Sequence, residues 1–193
     1  MKALSTALRI LQEFATAQAP LSVVELANRL ALNKSQISKV LKTYRDSGLL
    51  EQDPDTRKYS VGLHAFALGN NYVNANPLSR DALPIMRKLV DETGHSAVLS
   101  LLHGSDIIHL LAVEGRLFID GRWRVGRWMP YHTTSAGKVL VAFSPAETLE
   151  SLLKTRGLPR LTPHTITDPR QFRAVIKKIR KSGISVTHRE TYP

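Results

Sequence analysis

Residues 21–50, LSVVELANRLALNKSQISKVLKTYRDSGLL, contain the same helix-start pattern twice, separated by a short turn. In the first copy Ser22 is placed to cap a helix, and Glu25 is placed to return a hydrogen bond to the backbone of the cap. Asn33 and Gln36 repeat this capping box at the start of the second copy. The stretch therefore predicts a helix, a tight turn and a second helix.

The predicted second helix has one apolar face and one polar, basic face. Apolar side chains recur at the spacing of a buried helix face at Ile37, Val40, Leu41 and Tyr44. Hydroxyl and amide groups can bond base edges in the DNA major groove, and lysines can contact phosphates or guanine. We therefore predict DNA contacts from six residues on or beside the other face; an ordinary helical hairpin is the alternative. The six are Ser35, Gln36, Ser38, Lys39, Lys42 and Thr43.

Residues 49–62, LLEQDPDTRKYSVG, predict two short strands around an Asp-Pro-Asp turn. Arg57 and Lys58 lie just beyond that turn. A hairpin after a recognition helix can place its basic tip on the phosphate backbone, which adds affinity without reading sequence. We predict that Arg57 and Lys58 contact the DNA backbone, and a solvated hairpin is the alternative.

Three stretches in this order, TALRILQEFA, the helix pair itself and YSVGLHAFALG, resemble the N-terminal domain of the IclR (isocitrate lyase regulator) family. The resemblance implies a transcription regulator in which residues 1–62 form a winged helix-turn-helix domain. It further implies binding to a double-stranded DNA operator as a homodimer or a dimer of dimers. Residues 63–76 are then a linker helix that contributes dimer contacts. Its apolar residues Leu63, Phe66, Ala67 and Tyr72 could equally pack on their own domain.

The charge of the chain favours a polyanionic partner but does not locate the contact. The 27 basic and 16 acidic residues give a formal net charge of +11. Residues 1–62 hold 9 basic and 6 acidic residues, so most of the excess lies outside the predicted DNA reader. A cluster near the end is assigned to the solvated face of the last helix in preference to a second DNA patch. It comprises Arg170, Arg173, Lys177, Lys178, Arg180 and Lys181.

Composition excludes several classes of site. The chain has no cysteine, which excludes disulfides, thiolate chemistry and cysteine zinc sites. Its seven histidines are scattered without metal-ligand spacing. We find no signal peptide and no apolar run of membrane length. We therefore expect a cytoplasmic protein that needs neither a metal nor a cofactor.

Residues 77–193 predict antiparallel strands followed by separate helices. SAVLSLLHGSDIIHLLAV reads as a buried hairpin, and Asp120-Gly121 is a second hairpin turn. Asp168-Pro169 has the cap and proline of a helix start. The predicted fold class is therefore α+β, with an N-terminal winged helix-turn-helix, a linker helix and a C-terminal antiparallel sheet with helices.

The stretch VGRWMPYHTTSAGKVLVAF resembles the effector-domain motif of the same family, a loop that runs into a helix. The resemblance implies a GAF-like domain whose loop and helix start line a pocket for a small organic acid. The implied contacts come from Gly126, Met129, Thr134, Ser135, Ala136 and Gly137. Thr134 or Ser135 can cap the helix, and the free amides of a helix start attract a carboxylate. A plain cap beside core aromatic side chains is the alternative.

Two further interpretations of the second domain are weighed against effector sensing. Ser135 and Lys138 spell the S-x-x-K start of serine acyl-transfer enzymes, but the partner motifs S-D-N and K-T-G are missing, so we do not expect an enzyme.

In the resembled family the effector domain continues beyond the equivalent of residue 193 with further strands and a closing helix. Residues 77–193 are therefore expected to form a partial effector-binding domain with an incomplete sheet. A DNA-binding regulator without a working sensor is the alternative function.

Overall fold

The computed structural model of the chain describes residues 2–17, 19–117 and 125–192. The chain forms two compact units, Met1–Arg80 and Asp81–Pro193. Helix α5 (Pro77–Thr93) runs across the border between them. The finer division at residues 62 and 76 stays a prediction.

The first unit consists of helices around one small apolar core, followed by a two-stranded hairpin. Its elements are α1 (Lys2–Thr16), α2 (Val23–Leu30), α3 (Lys34–Asp46), β1 (Leu50–Gln52), β2 (Tyr59–Val61) and α4 (Leu63–Ala75). Strands β1 and β2 are antiparallel, with Leu50 opposite Val61. The core comes from all of these elements except α4, through Ile10, Phe14, Leu26, Ile37, Leu41, Leu50 and Tyr59. The helix-turn-helix and its wing therefore share one core.

The two predicted helix starts are both capped, but in different ways. At α2 the complete capping box forms, because the Ser22 amide donates to Glu25 Oε2 at 2.7 Å and the Glu25 amide donates to Ser22 Oγ at 3.2 Å. These hydrogen bonds lower the pKa of Glu25. At α3 the Asn33 side chain accepts from the Ser35 amide at 2.9 Å. The prediction that Gln36 completes a capping box here is wrong, because its side chain points to solvent and makes no hydrogen bond to the described residues.

The second unit packs helices against a three-stranded antiparallel sheet. After α5 come β3 (Ala97–His103), β4 (Asp106–Val113), β5 (Trp128–Pro130), α6 (Ser135–Phe143), α7 (Ala146–Thr155) and α8 (Pro169–Ser182). The strand order is β3-β4-β5. The larger core joins α6, α7 and α8 through Tyr131, Val141, Ala142, Leu152, Phe172, Ile176 and Ile179. Tyr131 and Phe172 meet edge to face, with ring centroids 5.8 Å apart.

The α+β fold class predicted from the sequence is confirmed. The buried hairpin of the second unit is β3-β4, with Ala97 opposite Val113 and a register shift between Leu99 and Ser100. The predicted Asp120-Gly121 turn lies outside the described residues. Within the part of the chain that the structure describes, no helix is both long and apolar enough to cross a membrane.

Candidate functional site

Helix α3 separates its core residues cleanly from the side chains predicted to contact DNA. Ile37 and Leu41 are 0% exposed and hold the helix against the core of the first unit. The Asn33 cap sets the start of the helix and therefore the rotation of every later side chain. All six predicted residues are exposed, namely Ser35, Gln36, Ser38, Lys39, Lys42 and Thr43. The structure thus brings these six together on one solvent-facing surface, which we call the α3 surface.

Most polar side chains of the α3 surface make no hydrogen bond or ion pair within the described residues. The Thr43 hydroxyl donates to the Lys39 carbonyl at 3.1 Å, so it can still accept a hydrogen bond. Lys39 and Lys42 make no ion pair with any residue in the described ranges. The Gln36 amide carries two donor hydrogens and an acceptor oxygen, which is the pattern that can bond adenine in a bidentate way. The surface therefore offers base-reading and phosphate-binding groups side by side.

Asp53 organises the turn between β1 and β2. Its Oδ1 atom accepts from the amides of Asp55 and Thr56, at 3.1 and 2.7 Å, and from the Thr56 hydroxyl at 2.8 Å. The hydrogen bonds from Thr56 are the main cause of a lowered pKa at Asp53. The next residue, Arg57, has a φ of 57° and an exposed side chain. The wing therefore presents Arg57 from a turn that its own side chains fix.

The two basic wing residues are not equivalent. Lys58 is half-buried, and its Nζ atom lies 3.9 Å from Glu25 Oε1. Glu25 is also the residue that completes the α2 capping box, so Lys58 connects the wing to the start of α2. Exposed ion pairs of this length contribute little stability, so a phosphate can compete for the lysine. Arg57 is the freer of the two cations.

At the start of α6 the structure selects Thr134 as the cap. Thr134 Oγ1 accepts from the Gly137 amide at 3.1 Å and donates to the Pro130 carbonyl at 3.3 Å. Ser135 is already the first helical residue, and Ser135 and Ala136 are partly exposed. A Cβ atom at Gly137 would lie 2.2 Å from the Tyr131 carbonyl oxygen, so only glycine fits there.

The remaining predicted effector contacts lie before α6 in the chain. Met129 is buried in β5, and its sulfur accepts a hydrogen bond from the Tyr192 hydroxyl at 3.6 Å. Gly126 is exposed with a φ of 81°, and its amide donates to the His109 carbonyl at 2.7 Å. The six predicted residues therefore follow one continuous segment, with Gly126 at its solvent-exposed end and Gly137 at its buried end.

Lys138 has a role that the sequence reasoning missed. Its Nζ atom lies 2.6 Å from Glu190 Oε1, and the two side chains are 2% and 10% exposed. An apolar helix face with a single lysine, here beside Val141 and Ala142, is the sequence signal that a buried acid must be nearby. A lysine held against a carboxylate is no free base for Ser135. The S-x-x-K interpretation therefore lacks its base.

Around this ion pair several buried polar atoms make no hydrogen bond to any residue that the structure describes. They are His132 Nδ1, Thr133 Oγ1 and Glu190 Oε2. His132 Nε2 lies 2.9 Å from the Pro159 carbonyl, so this nitrogen carries the proton and Nδ1 is an acceptor. Burial lowers the pKa of His132, which favours the neutral ring. Among the residues that the structure describes, no cluster of three or more His, Asp or Glu side chains could hold a metal ion.

Comparison with known proteins identifies the family of the chain. Residues 3–54 match the family model for the IclR helix-turn-helix domain, and residues 70–193 match that for the bacterial transcriptional regulator IclR C-terminal domain. The HTH-type transcriptional regulator BhcR of Paracoccus denitrificans is 31% identical over all of this chain and 69% of its own length. The acetate operon repressor of Salmonella typhimurium is 27% identical over 98% of this chain and 70% of its own.

A solved structure agrees with this relationship. The crystal structure of an IclR transcriptional regulator from Alicyclobacillus acidocaldarius matches with a TM-score of 0.84 and 26% identity. The match covers 100% of this chain and 78% of that chain. The relatives are transcriptional regulators and not enzymes. This chain is a member of the IclR family of DNA-binding transcription regulators.

Proposed function

We propose that the chain recognises a specific DNA operator through the α3 surface. The observation that carries this proposal is the Gln36 amide, which is exposed and makes no hydrogen bond to the described residues. A side chain in this state enters a groove without first breaking a protein contact. Lys39 and Lys42 are exposed on the same surface and supply phosphate contacts.

The wing adds affinity for the DNA backbone through Arg57 and Lys58. Arg57 is exposed at the end of a turn fixed by Asp53, so its guanidinium can approach a phosphate. Lys58 exchanges its 3.9 Å contact with Glu25 for a phosphate contact. Because phosphates are the same in every sequence, these two residues strengthen binding to all DNA.

The test of operator recognition is a gel-shift titration of the chain on DNA from upstream of its own gene. Random duplexes of equal length serve as competitor. Specific proteins of this kind bind their site about 10³-fold or more tightly than random DNA at physiological salt. Equal affinity for the upstream region and several other intergenic regions of the same genome would contradict the proposal.

The occupancy of the operator is modulated by a small organic acid that binds at the start of α6. Thr134 uses its hydroxyl to cap the Gly137 amide, which leaves the amides of the first helical residues for an anion. Ser135 and Ala136 are partly exposed beside them, so a ligand can reach this position. Met129 supplies an apolar wall. Gly137 lets the start of α6 pack closely against the Tyr131 carbonyl.

A panel of organic acids tests this second step. Each acid is added to the gel-shift reaction and to a thermal melt of the chain, together with its methyl ester. We expect at least one acid to change operator affinity and to raise the melting temperature, and its ester to do neither. If no acid acts while specific DNA binding is intact, the chain is a regulator without a working sensor.

The chain acts as a homodimer that uses the exposed apolar residues of α4. Leu63, Phe66 and Tyr72 are 69%, 66% and 58% exposed, and no residue of α4 is buried. The alternative, that these residues pack on their own domain, leaves that exposure unexplained. Sedimentation should give a dimer for the wild type and a monomer for Phe66→Glu. Asn71→Glu, which adds the same charge to the same helix, is the control and should stay dimeric.

A further inference from the structure

Helix α8 lies in the most basic part of the chain. Residues 154–193 contain 10 lysines and arginines but only 2 acidic residues. Neither acidic residue is placed to neutralise the exposed lysines and arginines of this segment. Asp168 caps α8 by accepting from the amides of Arg170 and Gln171, at 3.0 and 3.3 Å. Glu190 is buried against Lys138. Two cations of the segment pair with carboxylates elsewhere in the unit, Arg156 with Asp106 and Arg173 with Glu150. Even so, the segment keeps a clear excess of positive charge.

Two of the cations on α8 serve the structure of the second unit. Arg173 makes two hydrogen bonds to the carboxylate of Glu150, at 2.8 and 2.7 Å. Arg180 donates to the Ala142 carbonyl at 2.6 Å and to the Ser144 carbonyl at 3.1 Å, which satisfies the end of α6. The contacts within the unit thus account for both arginines.

Four other cations of α8 have no such role. Arg170, Lys177, Lys178 and Lys181 are exposed and make no ion pair within the described residues. At 100° per residue, Arg170, Lys177 and Lys181 fall within an arc of about 40°, directly opposite the buried Phe172, Ile176 and Ile179. They extend about 16 Å along the helix. Lys178 lies about 60° farther round the helix than Lys181, at the edge of this face. We call the four residues the α8 stripe.

The α8 stripe is unlike an ordinary solvated helix face. Such faces usually mix both signs of charge, and like charges four residues apart, as at Lys177 and Lys181, destabilise a helix. The helix dipole favours Lys181 in the last turn. It opposes Arg170 in the first turn, where a cation meets the positive end. Only the small side chain of Ala174 lies between Arg170 and Lys177 on this face, so a flat or ridged partner can approach closely.

We propose that the α8 stripe is a second DNA-contacting surface, which binds the phosphodiester backbone in addition to the contacts of the α3 surface and the wing. This inference rests on the proposed function only in requiring that the chain binds DNA. The stripe has four cations and no aromatic or aliphatic anchor, whereas the centres of protein interfaces are poor in lysine. The composition of the stripe is therefore better suited to binding DNA phosphates than to binding an acidic protein.

The salt dependence of DNA binding tests the α8 stripe with the full chain. The variant replaces Arg170, Lys177, Lys178 and Lys181 by glutamine, and the probe is a random-sequence duplex followed by fluorescence anisotropy. Each phosphate contact contributes about 0.9 to the slope of log K against log salt, so four lost contacts should lower the slope by about 3 to 4. The matched control replaces four exposed cations elsewhere in the second unit by glutamine. They are Arg87, Lys88, Arg116 and Lys154.

The control separates local contact from net charge, because both variants lose four positive charges. A slope that falls by about 3 to 4 in the α8 variant and by less than about 1 in the control supports the proposal. Equal slopes in the two variants overturn it. A wild-type chain that binds no DNA overturns it together with the DNA-binding function. Normal DNA binding with an unchanged slope in the α8 variant overturns the α8 surface alone.

A second measurement does not depend on removing charge. Because the chain has no cysteine, Ala174→Cys creates a single attachment point within the α8 stripe. With ascorbate and hydrogen peroxide added, an iron chelate tethered there should cleave bound DNA through locally generated hydroxyl radicals. The same chelate on Ala146→Cys, an exposed position at the start of α7, is the control. Strand cleavage from position 174 above that from position 146 supports the proposal. Equal cleavage, or none from position 174, overturns it.

Discussion

The Lys138 ammonium lies 2.6 Å from the Glu190 carboxylate, and both side chains are buried although 52 residues separate them in the sequence. Neighbouring bonds fix the same segment, since Thr165 Oγ1 donates to the Glu190 carbonyl and Thr191 Oγ1 donates to the Thr133 carbonyl, at 2.7 and 2.9 Å. The first turn of α6, where we place the effector, is therefore tied to residues 190 and 191.

Breaking this ion pair on one side should destabilise the second unit strongly. Lys138→Met and Glu190→Gln should each lower the free energy of unfolding by about 3 to 5 kcal/mol, because each leaves a buried group without its partner. The double variant Lys138→Met/Glu190→Leu should lose much less. Both tryptophans lie in the second unit, so urea unfolding followed by tryptophan fluorescence reports on it. A double variant no more stable than the single ones would contradict the account.

Replacing Gly137 by a residue with a Cβ atom should destabilise the second unit for steric reasons. A Cβ atom there meets the Tyr131 carbonyl oxygen at 2.2 Å and Thr134 Oγ1 at 2.7 Å, so Gly137→Ala should cost about 1 to 3 kcal/mol. Gly69→Ala in α4 is the matched control, because nothing lies within 4 Å of its added Cβ. That change should gain about 0.5 to 1 kcal/mol through helix propensity. Thermal melts followed by circular dichroism compare the two, and a wild-type melt for Gly137→Ala would refute the close approach.

Thr134 and Ser135 should separate helix capping from ligand binding. Thr134→Ala removes the acceptor for the Gly137 amide and should cost about 1 kcal/mol of stability. Ser135→Ala leaves the cap intact and should change stability by less than about 0.5 kcal/mol. Loss of acid binding in Ser135→Ala, measured by calorimetry on a variant with a wild-type melt, is the expected result. Full retention of acid binding by Ser135→Ala would remove that hydroxyl from the proposed site.

Acid should destabilise the second unit through its buried histidines. Burial is the main cause of a lowered pKa at both His132 and His109, and Arg127 lowers the pKa of His109 further. The unfolded chain therefore binds protons more readily than the folded one. The neutral buried histidines therefore contribute fully to the free energy of unfolding above the ordinary histidine pKa of 6.5, and this contribution is lost as the pH falls below it. Melting temperatures from pH 7.5 to 5 should fall, and they should fall less in His132→Asn than in the surface variant His95→Asn.

Local rules predicted much of the helix-turn-helix. The capping box of Ser22 and Glu25 and the buried Ile37 and Leu41 depend on residues three or four positions apart, so the sequence contains the information. The box expected from Gln36 did not form, because Asn33 bonds the Ser35 amide one residue earlier. A short polar side chain can bond either amide, and the backbone geometry decides which.

The second unit was less predictable because its contacts join distant residues. Two adjacent hydroxyls, Thr134 and Ser135, could each cap α6, and only the extended backbone of Thr134 distinguishes them. The partner of Lys138 is 52 residues away, beyond the reach of any periodic pattern. The pairing of Arg173 with Glu150, across two helices, is a further example. This ion pair distinguishes Arg173 from the four cations of the α8 stripe, which make no ion pair within the described residues.

The central claim, that the α3 surface reads DNA sequence while the wing binds backbone, is tested most directly by the binding of Gln36→Ala and Arg57→Ala to operator and random duplexes across a salt series. Gln36→Ala should lose about 1 to 3 kcal/mol on the operator only, because it removes a base contact. Arg57→Ala should weaken binding to both duplexes and lower the salt slope by about 1. Gln171→Ala, an exposed glutamine of the second unit, should match the wild type. Equal losses by Gln36→Ala on operator and random DNA would contradict the account.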